Sequence, residues 1–220
     1  MKWVSVALIL SSLAAFSWAC CTPDQWEGVQ TTFAGYSGYF HSGLIKEYNY
    51  VAYDFENKRS AMYMRYVNKD IEAKLKYLVV FDDDEGGMLY IDNLGKGTCF
   101  MKKLEGEFRK SCIPKEAKSY GPYYLGLKGG YKVESYNLKG KHMDVIVTVQ
   151  PIEEDVCAPI SELATGLVGH YKILRTVGFV DITPGIKNET VFDVPKDCNE
   201  DWSSFDLPLE LSREDYFLAV

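Results

Sequence analysis

The stretch Tyr48–Tyr66 constrains the fold most, because apolar side chains alternate on both of its faces. In its first arm Tyr50 falls on one face and Val51 and Tyr53 on the other, which is the period of a β-strand. The second arm alternates in the same way, and residues 56–58 between the arms favour a turn. The pattern predicts a hairpin with one face on a core. Its other face needs a second layer, a partner chain or a ligand.

The rest of the chain also favours strands over helices. The 16 tyrosines suit the pleated, half-buried surface of a sheet. Further strands are predicted near residues 29–39, 75–81, 88–92, 98–104, 131–136, 142–149 and 169–181. One helical turn is predicted at Ile113–Ala117, and Cys157-Ala158-Pro159 is expected to interrupt the strand pattern. Close strands with short turns predict a mainly β fold, an antiparallel sandwich or open half-barrel with one or two short helices.

The sequence predicts that the chain is divided into three segments. Residues 1–19 have the charged start, short apolar run and small-residue cleavage site of a secretory signal. A lipoprotein signal is the alternative because Cys20 follows, although Ser17 fits it poorly. Residues 20–198 form a single β domain, and residues 199–220 an acidic tail. No stretch is long and apolar enough to span a bilayer.

The charge and the cysteines narrow the class of protein further. The net charge is −7, which argues against nucleic acid and shows no polybasic patch for an anionic membrane. All six cysteines follow the predicted signal, and an even number in a secreted chain indicates disulfides. The spacing alone does not choose among the possible pairings, although a bond between the adjacent Cys20 and Cys21 is disfavoured by strain.

Several short motifs, in order, resemble one known family. They are Gln25-Trp26-Glu27-Gly28, Tyr53-Asp54 with Asn57 and Arg59, Tyr90-Ile91-Asp92 followed by Cys99, Cys157-Ala158-Pro159, and Gly185-Ile186-Lys187 leading to Val191-Phe192-Asp193-Val194-Pro195 and Cys198. On these motifs the chain resembles the ependymins and ependymin-related proteins from about Cys21 to Cys198.

The resemblance implies a secreted, N-glycosylated, calcium-associated protein that commonly dimerises, with the extracellular space or the lysosomal lumen as its destination. It implies two stacked, strongly curved antiparallel sheets, similar to bacterial lipoprotein carriers, with a hydrophobic pocket between them. It also implies the bridges Cys21–Cys157, with Cys20 as the alternative to Cys21, and Cys99–Cys198. Cys112 matches no family cysteine, so the third bridge, Cys20–Cys112, is assigned without family support.

One departure from the family concerns glycosylation. Asn188-Glu189-Thr190 is a glycosylation sequon, and no other asparagine in the chain has Ser or Thr two places on. Relatives usually have Asp-Pro at this position, after Gly-Ile-Lys. Asn188 is therefore the predicted attachment site, and its sugar is expected to be a feature of this relative.

Candidate binding residues lie mainly on the predicted strands. The proposed pocket lining is Met62, Met64, Leu89, Val145 and Val147, and ordinary core is the alternative for each. Asp181, before a Pro-Gly turn, is the calcium candidate. The acidic run at residues 82–85 is better explained as a solvated turn.

These features predict a binding protein rather than an enzyme. The histidines lack the spacing of known catalytic motifs, and no nucleophile elbow is present. The first functional hypothesis is a carrier of a hydrophobic small molecule, such as a lipid or fatty acid. The alternative is a calcium-dependent cell–matrix adhesion protein that binds extracellular matrix.

Overall fold

The computed structural model describes residues 18–201 except Phe40, residues 69–70, Asp83, Glu85 and residues 141–142. Over these residues the chain forms thirteen β-strands and one short 3-10 helix. Their bounds are β1 Trp18–Cys21, β2 Gln25–Ser37, β3 Ser42–Asp54, β4 Arg59–Asn68, β5 Ile71–Asp82, β6 Gly86–Asn93, β7 Thr98–Leu104, β8 Cys112–Pro114, β9 Lys118–Leu125, β10 Tyr131–Lys139, β11 Met143–Glu153, β12 Val156–Val168, β13 Tyr171–Pro184 and the 3-10 helix Glu189–Phe192.

The strands form two meanders, in which each strand pairs with the next along the chain. The N-terminal meander is β2–β7 and the C-terminal meander is β9–β13. An antiparallel ladder between β2 and β13 joins them, so hydrogen bonding runs from β7 to β9 through one open sheet. β1 lies off this path, parallel to β12 and antiparallel to β8. The prediction of a mainly β, antiparallel, unclosed fold is confirmed, with the two expected sheets continuous through the β2–β13 ladder.

Two local predictions were wrong. Ile113–Ala117, expected to be a helical turn, is the end of β8 and a tight turn in which the Ala117 N–H donates to the Pro114 carbonyl at 3.0 Å. The segment around Pro159 lies inside β12, where the register shifts opposite Thr148 and Val149 of β11. A proline is tolerated in a strand at such an irregularity, because no ladder donor is needed there.

The hairpin at Tyr48–Tyr66 forms as predicted, and the chain itself covers both of its faces. On the inward face Val51 and Tyr53 pack with aromatic residues of β2 and β13. On the outward face Ala52 and Ala61 pack beneath Val191 and Phe192, which belong to the 3-10 helix. The second layer that the sequence required is therefore the segment 185–193, here called the C-terminal strap.

Buried polar groups hold this strap in place. The Glu27 carboxylate, buried on β2, accepts a hydrogen bond from the Lys187 N–H at 2.9 Å. The Lys76 ammonium donates to the Asp193 carbonyl at 2.7 Å. The Arg59 guanidinium lies 4.1 Å from the centroid of the Phe192 ring and 2.5 Å from the Glu189 carboxylate. The apolar contacts of the strap are thus fixed in register by charged groups.

The turn between β3 and β4 is organised by the buried carboxylate of Asp54. It accepts hydrogen bonds from the Gln25 side chain at 3.0 Å, from Asn57 at 3.1 and 2.8 Å, and from the Arg59 Nε at 2.8 Å. Burial raises the pKa of Asp54, but these hydrogen bonds outweigh burial and hold the pKa below its ordinary value.

Three disulfides link the described cysteines, and two of them exchange the expected partners. The bridges are Cys20–Cys157, Cys21–Cys112 and Cys99–Cys198. The assignment of Cys99–Cys198 agrees with the structure. Of the two partners named for Cys157, the structure has the alternative, Cys20, so the assignments Cys21–Cys157 and Cys20–Cys112 were wrong. Neighbouring residues of a strand point to opposite faces. Cys21 lies directly opposite Cys112 in the β1–β8 ladder, which leaves Cys20 facing the buried Cys157.

Asp54→Asn should lower the free energy of unfolding by about 3 kcal/mol, because it leaves Arg59 without its buried carboxylate. The pKa of Asp54 is lowered in the folded state, so its stabilisation is present above its unfolded pKa and is lost as the pH falls through the folded value. The difference between wild type and Asp54→Asn should therefore shrink below about pH 4. Urea denaturation across pH measures this.

The control is Asp155→Asn, an exposed aspartate at positive φ, where asparagine is tolerated. A pH-independent difference between wild type and Asp54→Asn would contradict the assigned role.

Candidate ligand-binding site

A cavity of about 290 Å³ opens on the inward face of the C-terminal meander. Strands β10–β13 form its wall, and β1, β8 and the start of β2 border it. Its lining residues are Cys20, Thr22, Trp26, Lys110, Ser111, Cys112, Ile113, Leu138, Val145, Val147, Val149, Cys157, Pro159, Glu162 and Phe179.

The apolar wall follows from strand alternation. Val145, Val147 and Val149 are two residues apart on β11, so they share one face. Leu138 of β10 lies directly opposite Val145, which extends this face across the sheet. Phe179 adds an aromatic ring from β13. The result is a wall of branched and aromatic side chains, which suits the apolar part of a ligand.

Two buried polar atoms in the lining have no partner within the described chain. The Trp26 side chain is 2% exposed and its indole N–H meets no acceptor. The Thr22 side chain is 8% exposed and its hydroxyl also makes no hydrogen bond. A buried polar atom left in this state costs about 1–3 kcal/mol. A ligand that brings a hydrogen-bond acceptor to this end of the cavity would recover that free energy.

Two ionisable side chains also line the cavity. Burial raises the pKa of Glu162 above its ordinary value, and the charge of Arg175 lowers it only in part. The ammonium of Lys110 lies 2.5 Å from the Asp24 carboxylate and 5.7 Å from the centre of the Phe55 ring. The charge inside the cavity therefore depends on pH through Glu162, whereas Lys110 is already paired.

The structure divides the predicted pocket residues between two places. Val145 and Val147 line the cavity. Met62, Met64 and Leu89 pack instead in the core of the N-terminal meander, around the buried Leu75 and Ile91. Alternation identifies which face a residue occupies, but not where along the sheet the packing leaves space.

Sequence reasoning missed the polar residues of the cavity. Trp26 was noted only as part of a family motif. Thr22 lies next to the disulfide-bonded strand β1, and Glu162 lies in β12, which was not predicted to be a strand. Glu162 lies directly opposite Val147 in the β11–β12 ladder, so it is an acid on the valine-lined face. That signal identifies Glu162 only when the register of the two strands is known.

The calcium candidates that the structure describes are exposed on the surface. Asp181 is exposed, with a positive φ of 54°, at an irregularity between β13 and β2. Asp82 and Asp84 are exposed in the turn after β5, and the other acids of that run lie outside the described residues. In the part of the chain that is described, no three His, Cys, Asp or Glu side chains group closely enough to hold a metal.

The remaining predicted positions are exposed or undescribed. Asn188 is exposed before the 3-10 helix, and its side-chain oxygen accepts hydrogen bonds from the Thr190 N–H at 3.1 Å and hydroxyl at 2.9 Å. His41 and His170 are exposed, and His142 lies outside the described residues. Across the described ranges no helix is long and apolar enough to cross a membrane. Residues 1–17 and 202–220 also lie outside the description, and β1 begins inside the predicted signal.

Comparison with known proteins identifies the family. The chain is 32% identical over 209 residues to Ependymin-related protein 1 of Haliotis asinina, covering 89% of this chain and 98% of that protein. A solved structure of an uncharacterized conserved protein from Thermus thermophilus aligns with a TM-score of 0.48 at 10% identity, covering 81% of this chain and 88% of that one. The sequence profile named Ependymin matches residues 69–198. The chain belongs to the ependymin family.

Proposed function

We propose that this protein is a secreted carrier that binds a small amphipathic molecule in the cavity of its C-terminal meander. The observation that carries this proposal is the pair of unpartnered buried groups, the Trp26 indole N–H and the Thr22 hydroxyl, at the edge of an apolar wall. An apolar tail would lie on the valines of β11. A polar head would accept hydrogen bonds from these two groups.

The volume of the cavity limits the ligand. At about 290 Å³ it lies near the lower end of small-molecule pockets, which begin at about 300 Å³. It would hold roughly ten waters at about 30 Å³ each. A single-chain amphiphile such as a fatty acid fits this volume better than a two-chain phospholipid. Its binding would come from apolar burial, at about 25 cal/mol per Å² before ordering costs.

Secretion, glycosylation and a non-catalytic role complete the proposal. Three disulfides favour an oxidising compartment, which is consistent with the predicted signal and the family. Asn188 is exposed and available to a sugar. Association with calcium stays part of the proposal on family membership alone, because no three His, Cys, Asp or Glu side chains group closely among the described residues.

The second candidate is an adhesion protein that acts as a dimer, and an exposed apolar surface favours its dimeric state. Phe33, Leu163, Leu174 and Val180 share the outward face of β2, β12 and β13, and each is substantially exposed. Phe33, Leu163 and Leu174 occupy neighbouring positions across the three strands, and clustered exposed apolar side chains mark interaction surfaces. A second copy of this chain is the proposed occupant, as expected for the family.

Val147→Trp should obstruct the cavity and weaken ligand binding, because the added ring occupies the space against the valine wall. Fluorescence titration with 1-anilinonaphthalene-8-sulfonate, a small anionic amphiphile, measures the affinity, which should fall at least tenfold. Native mass spectrometry of the secreted protein should show bound lipid in wild type and less in the variant.

The matched control is Ile152→Trp, which places the same ring on an exposed position of the same strand. Probe affinity unchanged in Val147→Trp would place the binding site elsewhere and reject the cavity.

Affinity for an anionic amphiphile should rise as the pH falls from neutral, because Glu162 takes up a proton at a higher pH than an ordinary glutamate and its repulsion then disappears. Glu162→Gln should bind the probe more tightly at neutral pH and show a flatter pH profile. The sulfonate of the probe stays ionised over this range, so the profile reports the protein. If the probe affinity of Glu162→Gln depended on pH in the same way as that of wild type, Glu162 would be excluded as the source of the pH dependence.

Light scattering coupled to size exclusion should show a dimer for wild type and a monomer for the double variant Leu163→Asp with Leu174→Asp. The charged residues would have to be buried in the proposed interface, which is costly. Leu94→Asp, at an exposed turn of the N-terminal meander, is the control. A wild-type monomer at micromolar concentration would argue against this surface as an interface.

A further inference from the structure

The β9–β10 hairpin, residues 118–139, presents large side chains to solvent at the end of the sheet. β9 pairs only with β10 along the strand path, so it is an edge strand. Leu127, in the turn, is 86% exposed and Tyr131 is 70% exposed. Tyr120 and Tyr124 on β9 are also exposed. An edge so rich in exposed aromatic and aliphatic side chains suggests a surface with a binding role.

The same hairpin is basic in an acidic chain. Lys118, Lys128, Lys132 and Lys139 are exposed, against one acid, Glu134, which gives a local net charge of +3. The chain as a whole carries −7. Among the described residues these lysines form no ion pair, and Lys118 lies 5.3 Å from the centroid of the Tyr120 ring. The whole-chain charge does not reveal this local excess of lysine. Lys128 and Lys132 lie in and beside the turn, whereas Lys118 and Lys139 lie at the open end of the hairpin.

The edge is poorly suited to pairing with another strand. Pro122 has no N–H to donate, and Gly121 next to it has a φ of 79°. The register of β9 against β10 also shifts at this point, between Glu134 and Tyr136. Proline and an irregular register are devices that stop edge-to-edge pairing. Addition of a second copy through this edge is therefore disfavoured, and the lysines would repel it as well.

Aromatic, aliphatic and basic side chains lie on both faces of the hairpin and at its turn. This distribution suits insertion of the turn into a lipid interface better than contact of one face with a protein. Leu125 and Tyr131 are directly opposite each other on one face of the hairpin. Tyr124 and Lys132 are opposite each other on the other face. Leu127 and Lys128 occupy the turn beyond both strands. Aromatic rings beside lysines, with a leucine at the tip, are the arrangement found at a membrane interface.

We propose that the turn of the β9–β10 hairpin docks on an anionic lipid bilayer. Leu127 enters the boundary of the acyl chains. Tyr124 and Tyr131 lie at the level of the headgroups, and Lys128 and Lys132 contact lipid phosphates. This docking does not require a ligand in the cavity, so it stands apart from the proposed carrier function.

The hairpin also connects the bilayer to the cavity. β10 begins at Tyr131 beside the docked turn, and its other end carries Leu138, which lines the cavity. One strand thus runs from the lipid surface to the proposed ligand site.

Co-sedimentation of the full secreted chain with vesicles tests the proposal. Binding to vesicles of phosphatidylcholine mixed with phosphatidylserine is expected, with little binding to phosphatidylcholine alone and weaker binding at high salt. The double variant Lys128→Gln with Lys132→Gln should lower the partition coefficient by roughly 30-fold, on the basis of about fivefold per lysine. Leu127→Asp should also abolish binding.

Leu94→Asp is the matched control for Leu127→Asp, since both leucines are exposed in glycine-containing turns, but in different meanders. Circular dichroism checks that each variant is folded. Vesicle binding that survives the hairpin changes, or that is equal on neutral vesicles, would overturn the proposal. A change in oligomeric state without vesicle binding would assign the hairpin to a second copy instead.

The two proposals fail separately. Val147→Trp should bind the fluorescent probe weakly and still bind vesicles. The hairpin variants should bind the probe as wild type does and no longer bind vesicles. Loss of both activities in every variant would show that vesicle binding depends on the cavity, which would overturn the independent docking proposed here.

Discussion

The rest of the structure depends on the ladder between β2 and β13. Each meander is built from neighbours in sequence, and this ladder joins them along eleven residue pairs. It brings Trp26 of β2 beside Phe179 of β13, which together border the cavity. It also fixes Glu27, which holds the C-terminal strap. One long-range pairing therefore sets the fold, the cavity and the cover of the N-terminal meander at once.

Two buried polar sites in the molecule differ in whether the chain itself supplies their hydrogen bonds. The carboxylate of Asp54 is filled by hydrogen bonds from its own chain, so it stabilises a turn and has no capacity left for a ligand. The indole N–H of Trp26 and the hydroxyl of Thr22 are buried with no such bonds. A buried group of this kind costs free energy unless a water or a ligand bonds to it, and at the edge of the cavity a ligand can do so. The contrast separates a structural polar site from a candidate recognition site within one chain.

Sequence patterns predicted the strands whose alternation is strong and missed those whose side chains break it. The hairpin at Tyr48–Tyr66 and most of β11 were predicted because large side chains repeat there with period two. β9 and β12 were missed because proline, glycine and small residues interrupt them, and register rather than propensity keeps them in the sheet. The partners of Cys20 and Cys21 could not be derived, since a shift of one residue exchanges the two faces of β1.

The arrangement of the disulfides has a consequence for biosynthesis. Cys20 and Cys21 leave the ribosome first, and Cys112 emerges well before Cys157, the native partner of Cys20. In an oxidising compartment the earliest bridge to Cys112 can start from either neighbour, and only one choice is native. The yield of correctly folded protein is therefore expected to depend on a disulfide isomerase, which converts the non-native bridge into the native one. Until β13 is synthesised, one edge of β2 is unpaired and can pair with another chain. A chaperone is therefore expected to reduce aggregation at this stage.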